Sequence, residues 1–294
     1  MARVLVVGAG LTGAAGAALL RGAPRGRVSV WDKARGAGGR MSTTRADRGS
    51  ADLGAQFVTC EPEMAGPRLS FYEELVTQGI LKPLTAPVEG MVVRDGSRNY
   101  VAPQGISSVV KYFLQQSGAD VSYEQHVTHI SLRDGRWEVS RKAGPPEQFD
   151  VVILTMPVPQ ILQLQGDIVN KSPEVGPSVV VHTTVTFGSE HLDSEPAEVQ
   201  QIILSHLQRI VPSLPKPSSI KCQRWRYSQV TRAVANCPGQ MILHTQPLLI
   251  CAGDGFTRSN FDGCIESAMS LAEAVRPHLQ QFQSQAAKLP LDLL

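Results

Sequence analysis

Val4-Leu-Val-Val-Gly-Ala-Gly-Leu-Thr-Gly13 reads as one physical unit, a strand that ends in a glycine turn and opens a helix. Val4 to Val7 form a short, fully apolar run, as a strand covered on both faces does. Gly8, Gly10 and Gly13 follow in the pattern G-x-G-x-x-G, and Ala14 to Leu20 continue as a helix of small residues. In this pattern Gly8 permits the tight turn, Gly10 lets the backbone approach a pyrophosphate, and Gly13 lets the helix pack closely on the strand. The helix N-terminus then presents N–H groups and a positive dipole end to phosphates. A second apolar run, Val28-Ser-Val-Trp31, ends in Asp32, 19 residues past Gly13, where a carboxylate can accept hydrogen bonds from a ribose diol. The expected fold is α/β with a Rossmann-like dinucleotide-binding domain. Against it stand a secretory leader, since residues 1–20 join an early Arg to an apolar stretch, and a merely close-packed helix with Asp32 as a solvated strand end.

The chain after Asp32 departs from a plain nicotinamide dehydrogenase, which would go on alternating strands and helices. A loop rich in Gly and Arg (33–41) leads to Ala51-Asp-Leu-Gly-Ala-Gln-Phe57, and a helix is expected over Pro67 to Gln78. Val88 to Arg94 and Asn99 to Val101 flank the hairpin signal Asp95-Gly96. Ile106, Val109, Val110, Phe113 and Leu114 lie on one helical face, and Gly118 is placed to cap it. Val121 to Arg141 reads as an antiparallel meander turning at Asp134-Gly135, and Val151 to Thr155 as a returning buried strand. Leu248-Leu-Ile-Cys-Ala-Gly-Asp-Gly255 is a further apolar strand ending in Gly253-Asp254, followed by a helix opening at Phe261 to Ala268. A cofactor domain assembled from distant segments around a meander suits FAD better than NAD. Asp254 could then meet ribityl hydroxyls, and a helix starting near Gly263 would aim its dipole at the flavin edge that gains negative charge on reduction.

Composition narrows the class. With 294 residues, 42% hydrophobic and 18% charged, the chain can bury a sizeable core in at most two domains. Lys+Arg 28 against Asp+Glu 26 gives a formal charge of +2, with no basic run to suggest nucleic acid or an anionic membrane. No apolar stretch approaches the roughly 20 residues of a membrane span. Cys60, Cys222, Cys237, Cys251 and Cys264 contain no C-x-x-C, which argues against a zinc ribbon or disulfide framework. No G-x-S-x-G, H-E-x-x-H or P-loop pattern occurs.

Seven segments together resemble the renalases, within the flavin amine-oxidase-like proteins: VLVVGAGLTG at 4–13, GGRMSTT at 38–44, ADLGAQF at 51–57, VAPQGISS at 101–108, LTMPVPQILQLQGD at 154–167, NCPGQM at 236–241 and CAGDGFTRSNFDGC at 251–264. The resemblance covers residues 1–168 and about 170–276. It implies FAD contacts from Thr12, Gly39, Arg40, Gln56 and Phe57, with Asp32 on the adenosine ribose and Val127 beside the adenine. Arg40 also suits a pyrophosphate on physical grounds, because its planar fork can bind two oxygens at once. The activity implied is hydride removal from NAD(P)H isomers reduced at the 2 or 6 position, giving NAD(P)+, with O2 reoxidising the flavin and releasing hydrogen peroxide. A flavin monoamine oxidase and a non-catalytic binding protein are the rivals.

One departure from that family is visible. Several dozen residues separate the QGD segment from the GPS-V-V-H segment in the family, whereas here Ile168 reaches Gly176 directly. The expectation is a discontinuous FAD domain (1–60, 101–160 and 245–282), a shortened α+β substrate domain (61–100 and 161–244) with exposed strand edges and apolar surface, and a tail (283–294). Pro212 to Pro217 reads as a connector between a helix at Pro196–Ile210 and a strand from Ser219. Trp225 and His244 are candidates for the substrate site, with ordinary packing as the alternative for each. Trp31 reads as strand packing. His126 and His129 sit in strand context on opposite faces, a poor arrangement for sharing a metal. Cleavage of a leader would destroy the glycine turn at residue 8, which favours a cytoplasmic protein, whereas the resemblance implies secretion.

Overall fold

The computed structural model describes residues 2–22, 26–46, 49–61, 69–85, 94–157, 160–161, 181, 183–210, 220 and 222–286. Several expectations lie outside them: residues 88–93 of the first hairpin arm, the junction at 168–176, the proline connector at 212–217, the strand start at Ser219 and residues 287–294 of the tail.

Strand β1 (Ala2–Val7) is the centre of a six-stranded sheet. It pairs in parallel with β2 (Gly26–Trp31) on one side and β12 (Val151–Leu154) on the other. Beyond β12 lies β14 (Leu248–Ala252), also parallel, and beyond β2 lies β8 (Asp120–Ser122). The antiparallel β13 (Gln240–His244) completes the order β13-β14-β12-β1-β2-β8. The distant segment at 248–252 is therefore a neighbour-but-one of the N-terminal strand.

Side-chain alternation divides the core into two layers. Val4, Val6, Val151, Ile153 and Ile250 face α1 (Leu11–Leu19), α3 (Ser107–Ser117) and α6 (Phe261–Ala286). Leu5, Val7, Val152, Leu154 and Cys251 face the three-stranded sheet of β9 (Val127–Arg133), β10 (Arg136–Arg141) and β11 (Glu147–Phe149). This explains the continuous apolar run of β1: both faces are covered. Fully burying each such aliphatic side chain is worth about 1.5–3 kcal/mol.

Charge and aromatic contacts fasten the outer sheet. Asp150 accepts from the Arg3 N–H at 2.8 Å and from Arg136 Nε at 2.8 Å, while Glu147 pairs with Arg3 at 2.6 Å and Arg141 at 2.7 Å. The Arg141 guanidinium lies 4.5 Å from the Trp31 ring centre, and Trp31 meets Phe149 edge-on at 5.3 Å. Trp31 is thus strand packing.

Smaller elements surround this frame. A hairpin of β3 (Thr43–Ala46) and β4 (Gly49–Asp52) carries the ADLGAQF segment, and β5 (Val58–Cys60), β6 (Lys82–Pro83) and β7 (Arg98–Val101) form a small antiparallel sheet beside α2 (Leu69–Thr77). The helix expected at 67–78 is α2, and the amphipathic stretch at 105–117 is α3, closed by Gly118 at φ 62°. Two expectations change. Val121 belongs to β8 of the parallel sheet, and the meander starts only at Val127. Gly118 turns the chain directly from α3 back alongside β2, and a three-residue strand is too short for its alternation to show. Ile220 and Cys222 to Trp225 form no strand.

The chain separates into two compact units, 1–178 with 229–294, and 179–228. The second holds α4 (Val185–Glu190), capped by Thr184 Oγ1 accepting from the Phe187 N–H at 3.2 Å, and α5 (Pro196–Ile210). Arg226 pairs with Asp193 at 2.5 Å. Among the described residues of this unit none is buried, and Val185 is 72% exposed. In the first unit β13 exposes Met241, Ile242 and Leu243 in succession.

Candidate flavin site

Gly8, Gly39 and Gly253 belong to three loops at one end of the parallel sheet, and hydrogen bonds join the first two of those loops. The Gly8 N–H donates to the Trp31 carbonyl at 2.8 Å, and the Gly38 N–H to the Ala9 carbonyl at 2.9 Å. The two glycines that follow Gly8 have different tasks. A Cβ on Gly13 would stand 2.1 Å from the Gly8 carbonyl oxygen and 2.8 Å from Thr155 Oγ1, so Gly13 is required by helix-on-strand packing. A Cβ on Gly10 would meet nothing within 4 Å. Gly10 is also the N-cap of α1 and supplies no side-chain acceptor to the first-turn N–H groups. An open glycine before an uncapped helix start is what an approaching phosphate needs.

Asp32 shapes this turn. One carboxylate oxygen accepts from the Ala9 N–H at 2.6 Å and the other from the Ala34 N–H at 2.7 Å. Each oxygen keeps a further lone pair for a ribose hydroxyl. Val127 is buried at the start of β9, next to a segment whose Glu124 and Gln125 N–H groups donate to Ala34 and Asp32 carbonyls at 2.9 Å and 2.8 Å.

Arg40 and Asp254, 214 positions apart, form a two-pronged ion pair with both N–O distances 2.7 Å. Ser259 Oγ donates to Asp254 at 2.8 Å. Burial opposes the Arg40 charge, but the hydrogen bonds and charge of Asp254 outweigh it and raise the Arg40 pKa above its ordinary value. Cys264 lies in the same field. Burial and then the Asp254 charge push its thiol up to about 11, against the opposing Thr12 hydrogen bond and Arg40 charge, so it is protonated at neutral pH.

The ADLGAQF segment docks on the backbone of Arg40. The Ala55 N–H donates to the Arg40 carbonyl at 3.0 Å, and a Cβ on Gly54 would stand 2.0 Å from that oxygen. Only glycine allows this approach. Further along the segment Gln56 is exposed and Phe57 half-buried.

Three further sequence candidates have distinct surroundings. Helix α6 starts at Phe261, where the sequence reading opens it, but the Gly263 N–H is taken by Asn260 Oδ1 at 2.8 Å. Gly263 is a glycine because a Cβ there would stand 2.0 Å from the Arg258 carbonyl oxygen. His244 pairs with Leu249 in the amino-terminal half of β14, whereas Asp254 follows the carboxyl end of that strand. Its Nδ1 is 2.8 Å from the Pro247 carbonyl, and its ring meets Trp137 edge-on at 5.2 Å. Trp225 is half-exposed in the second unit. The structure thus brings Gly10, Thr12, Arg40, Asp254 and Cys264 into one neighbourhood and leaves His244 outside it.

Sequence reasoning missed Thr155, Ser259 and Ser267. Thr155 Oγ1 lies 3.0 Å from the Val7 carbonyl and 3.1 Å from that of Gly8, and Ser267 Oγ accepts from the Gly253 N–H at 2.8 Å while donating to the Gly239 carbonyl at 2.6 Å. Small hydroxyl residues carry no periodic signal; only their position within or beside glycine motifs could have marked them.

Comparison with known proteins decides the family. The profile of the NAD(P)-binding Rossmann-like domain matches residues 6–75, and that of the flavin-containing amine oxidoreductases matches residues 69–167. Renalase from Mus musculus is 46% identical over 343 aligned positions, covering 95% of this chain and all of that protein. The chain belongs to the renalase family. The alignment is longer than the 294 residues present here, as a shortened renalase requires. A crystal structure of a candidate protoporphyrinogen oxidase from Exiguobacterium sp. 255-15 superposes with a TM-score of 0.63 at 14% identity, covering 94% of this chain and 99% of that one, which shows a shared fold. As a renalase-family chain with an amine-oxidoreductase match, the protein is a flavin-dependent oxidoreductase whose domains suit a small nucleotide substrate. No described helix is long and apolar enough to cross a membrane.

Proposed function

We propose that this chain binds FAD and oxidises NAD(P)H isomers reduced at the 2 or 6 position, yielding NAD(P)+ and, with O2 as acceptor, hydrogen peroxide. The observation that carries the reading is the 46% identity to a renalase across nearly the whole chain. The open Gly10 turn and the Arg40–Asp254 pair support it as a place for a dinucleotide flavin. Bound FAD supplies the hydride acceptor. The chain's part is to hold it: Gly10 and the first turn of α1 face the phosphates, with Thr12 beside them, and Arg40 offers its fork. Asp32 and Val127 serve the adenosine end, while Gly39, Gln56, Phe57, Gly253 and Gly263 serve the remainder and Asp254 holds Arg40. The substrate becomes aromatic on losing hydride, so the protein needs to stack and orient it more than to provide acid–base catalysis. Trp225 and His244 stay as substrate-side candidates, the discontinuous cofactor domain and shortened substrate domain belong to this reading, and secretion is carried over from the renalases.

The test is anaerobic reduction of the bound flavin, followed as loss of visible absorbance, with isomeric dihydronicotinamide dinucleotides and with amines. Bleaching by the isomers, then peroxide on admitting air, is expected; bleaching by amines alone would replace the reading with a monoamine oxidase. One observation favours a third reading, a flavin-binding chain without turnover: no described residue of the second unit is buried. Bound flavin that no substrate reduces would establish it.

A further inference from the structure

Asp254 carries an unusual load for a residue whose expected task is to meet flavin hydroxyls. Both of its oxygens are committed to Arg40, at 2.7 Å each, and one of them also accepts from Ser259 at 2.8 Å. The carboxylate is 8% exposed, whereas the Arg40 side chain is 33% exposed, so the pair is buried at its acidic end and open at its basic end. Ser259 is fixed in turn: its Oγ accepts from the Val230 N–H at 3.1 Å and lies 3.5 Å from an Arg40 nitrogen. The Gly253 N–H beside Asp254 is held by buried Ser267. Each link fixes the one before it, from Val230 through Ser259 and Asp254 to the guanidinium.

We propose that Asp254 and Ser259 are positioning residues that aim the Arg40 guanidinium at the diphosphate of the cofactor, with Ser259 an unassigned member of the site. The inference rests on the FAD reading above and deepens it. A free arginine side chain samples many rotamers, and ordering it on binding costs affinity. A two-pronged carboxylate holds the plane of the fork, leaving Nε and the outward N–H groups for phosphate oxygens. The Asp254 charge weakens the net attraction of the site for a diphosphate. The gain from orientation exceeds that loss because hydrogen bonds to a charged group depend steeply on geometry.

The test uses the flavin-free chain and three probes that divide the cofactor: FAD, ADP, which has the diphosphate without the ribityl chain, and riboflavin, which has the ribityl chain without the diphosphate. Binding is read by fluorescence for the flavins and by calorimetry or competition for ADP. Asp254→Ala is expected to weaken ADP about tenfold to a hundredfold and riboflavin less than threefold. Ser259→Ala, which leaves the ion pair intact and keeps the test alive if the aspartate variant fails to fold, is expected to weaken ADP about threefold to tenfold. In an Arg40→Ala background both changes should have under a twofold effect, because the group they act through is gone. Weaker riboflavin with unchanged ADP would overturn the proposal and place Asp254 on the ribityl chain. Full effects persisting in the Arg40→Ala background would overturn it as well. All readouts are binding, so they are independent of whether dihydronicotinamide isomers are the substrate. A wild-type chain that binds neither FAD nor ADP would sink the cofactor reading itself.

Discussion

Gly10 and Gly13 stand three residues apart in one motif, yet the structure predicts opposite consequences for adding the same methyl group to each. In Gly13→Ala the new carbon would lie 2.1 Å from the Gly8 carbonyl oxygen, against an ordinary contact of 3.4 Å. Backbone must therefore yield by about 1.3 Å, the difference of those distances. The gap cannot be absorbed by a rotamer, because Gly8 is fixed to Trp31 and Gly13 is inside α1. Overpacking by a single methyl group costs about 1–3 kcal/mol when neighbours can adjust. The helix propensity gained by alanine, up to about 1 kcal/mol, offsets part of this. A net loss of about 2 kcal/mol or more is expected, large beside a typical total of about 5–15 kcal/mol. In Gly10→Ala the methyl group meets nothing within 4 Å, and φ of −84° suits alanine, so the fold should lose only about 1 kcal/mol through a poorer cap. The space it takes is the approach to the helix N-terminus. Losing one charge-assisted hydrogen bond and the dipole contact together amounts to about 3 kcal/mol, or more than a hundredfold in flavin affinity. Denaturant unfolding of flavin-free protein separates the two from any stabilisation by ligand, and flavin titration gives the affinities. A Gly10→Ala protein with wild-type flavin affinity, or a Gly13→Ala protein of wild-type stability, would refute this division of labour.

Ser267→Ala strands the Gly253 N–H and the Gly239 carbonyl in a buried setting, and urea unfolding should register a loss of about 2–3 kcal/mol. Asp150→Asn weakens the joint between Arg3 on β1 and Arg136 on β10, at a cost of about 1–3 kcal/mol in the same measurement, with the Trp137 environment reporting the loosened sheet by fluorescence. Cys264, with its thiol held up to about 11 instead of near 9, should alkylate slowly at neutral pH, and its rate should keep rising well above pH 9 without levelling. The folded chain binds that proton more tightly than the unfolded one, so this thiol's contribution to stability is full below about pH 9 and lost as pH climbs towards 11. A rate that levels off near pH 9, read by mass spectrometry of the labelled peptide, would show that burial and the Asp254 charge do not hold the thiol up.

The candidate site was legible wherever function demands a backbone shape. Gly8, Gly10 and Gly13 gave the turn, and Asp32 at the end of the next strand could be anticipated because the chain length of a strand–helix–strand unit is fixed by geometry. Arg40 and Asp254 were each recognisable inside their motifs, but their pairing was not. Nothing local connects residues 214 positions apart; β14 had to take its place two strands from β1 before the two could meet. Gly263 read as lying near a helix start and Gly54 only as part of its segment; the carbonyls of Arg40 and Arg258 packed against them show why a side chain is excluded.

By itself the sequence determined the periodic elements and the class of cofactor fold. Apolar period, glycine spacing and caps are written in neighbouring residues, and each element buries a face regardless of which partner covers it. Tertiary structure alone decided that β8 joins the parallel sheet, that Asn260 takes the Gly263 N–H, and that Ser259 joins the Arg40–Asp254 pair. These depend on atoms meeting across long loops within a few ångströms, at a scale where one carbonyl or hydroxyl determines the outcome and no pattern of residue types records it.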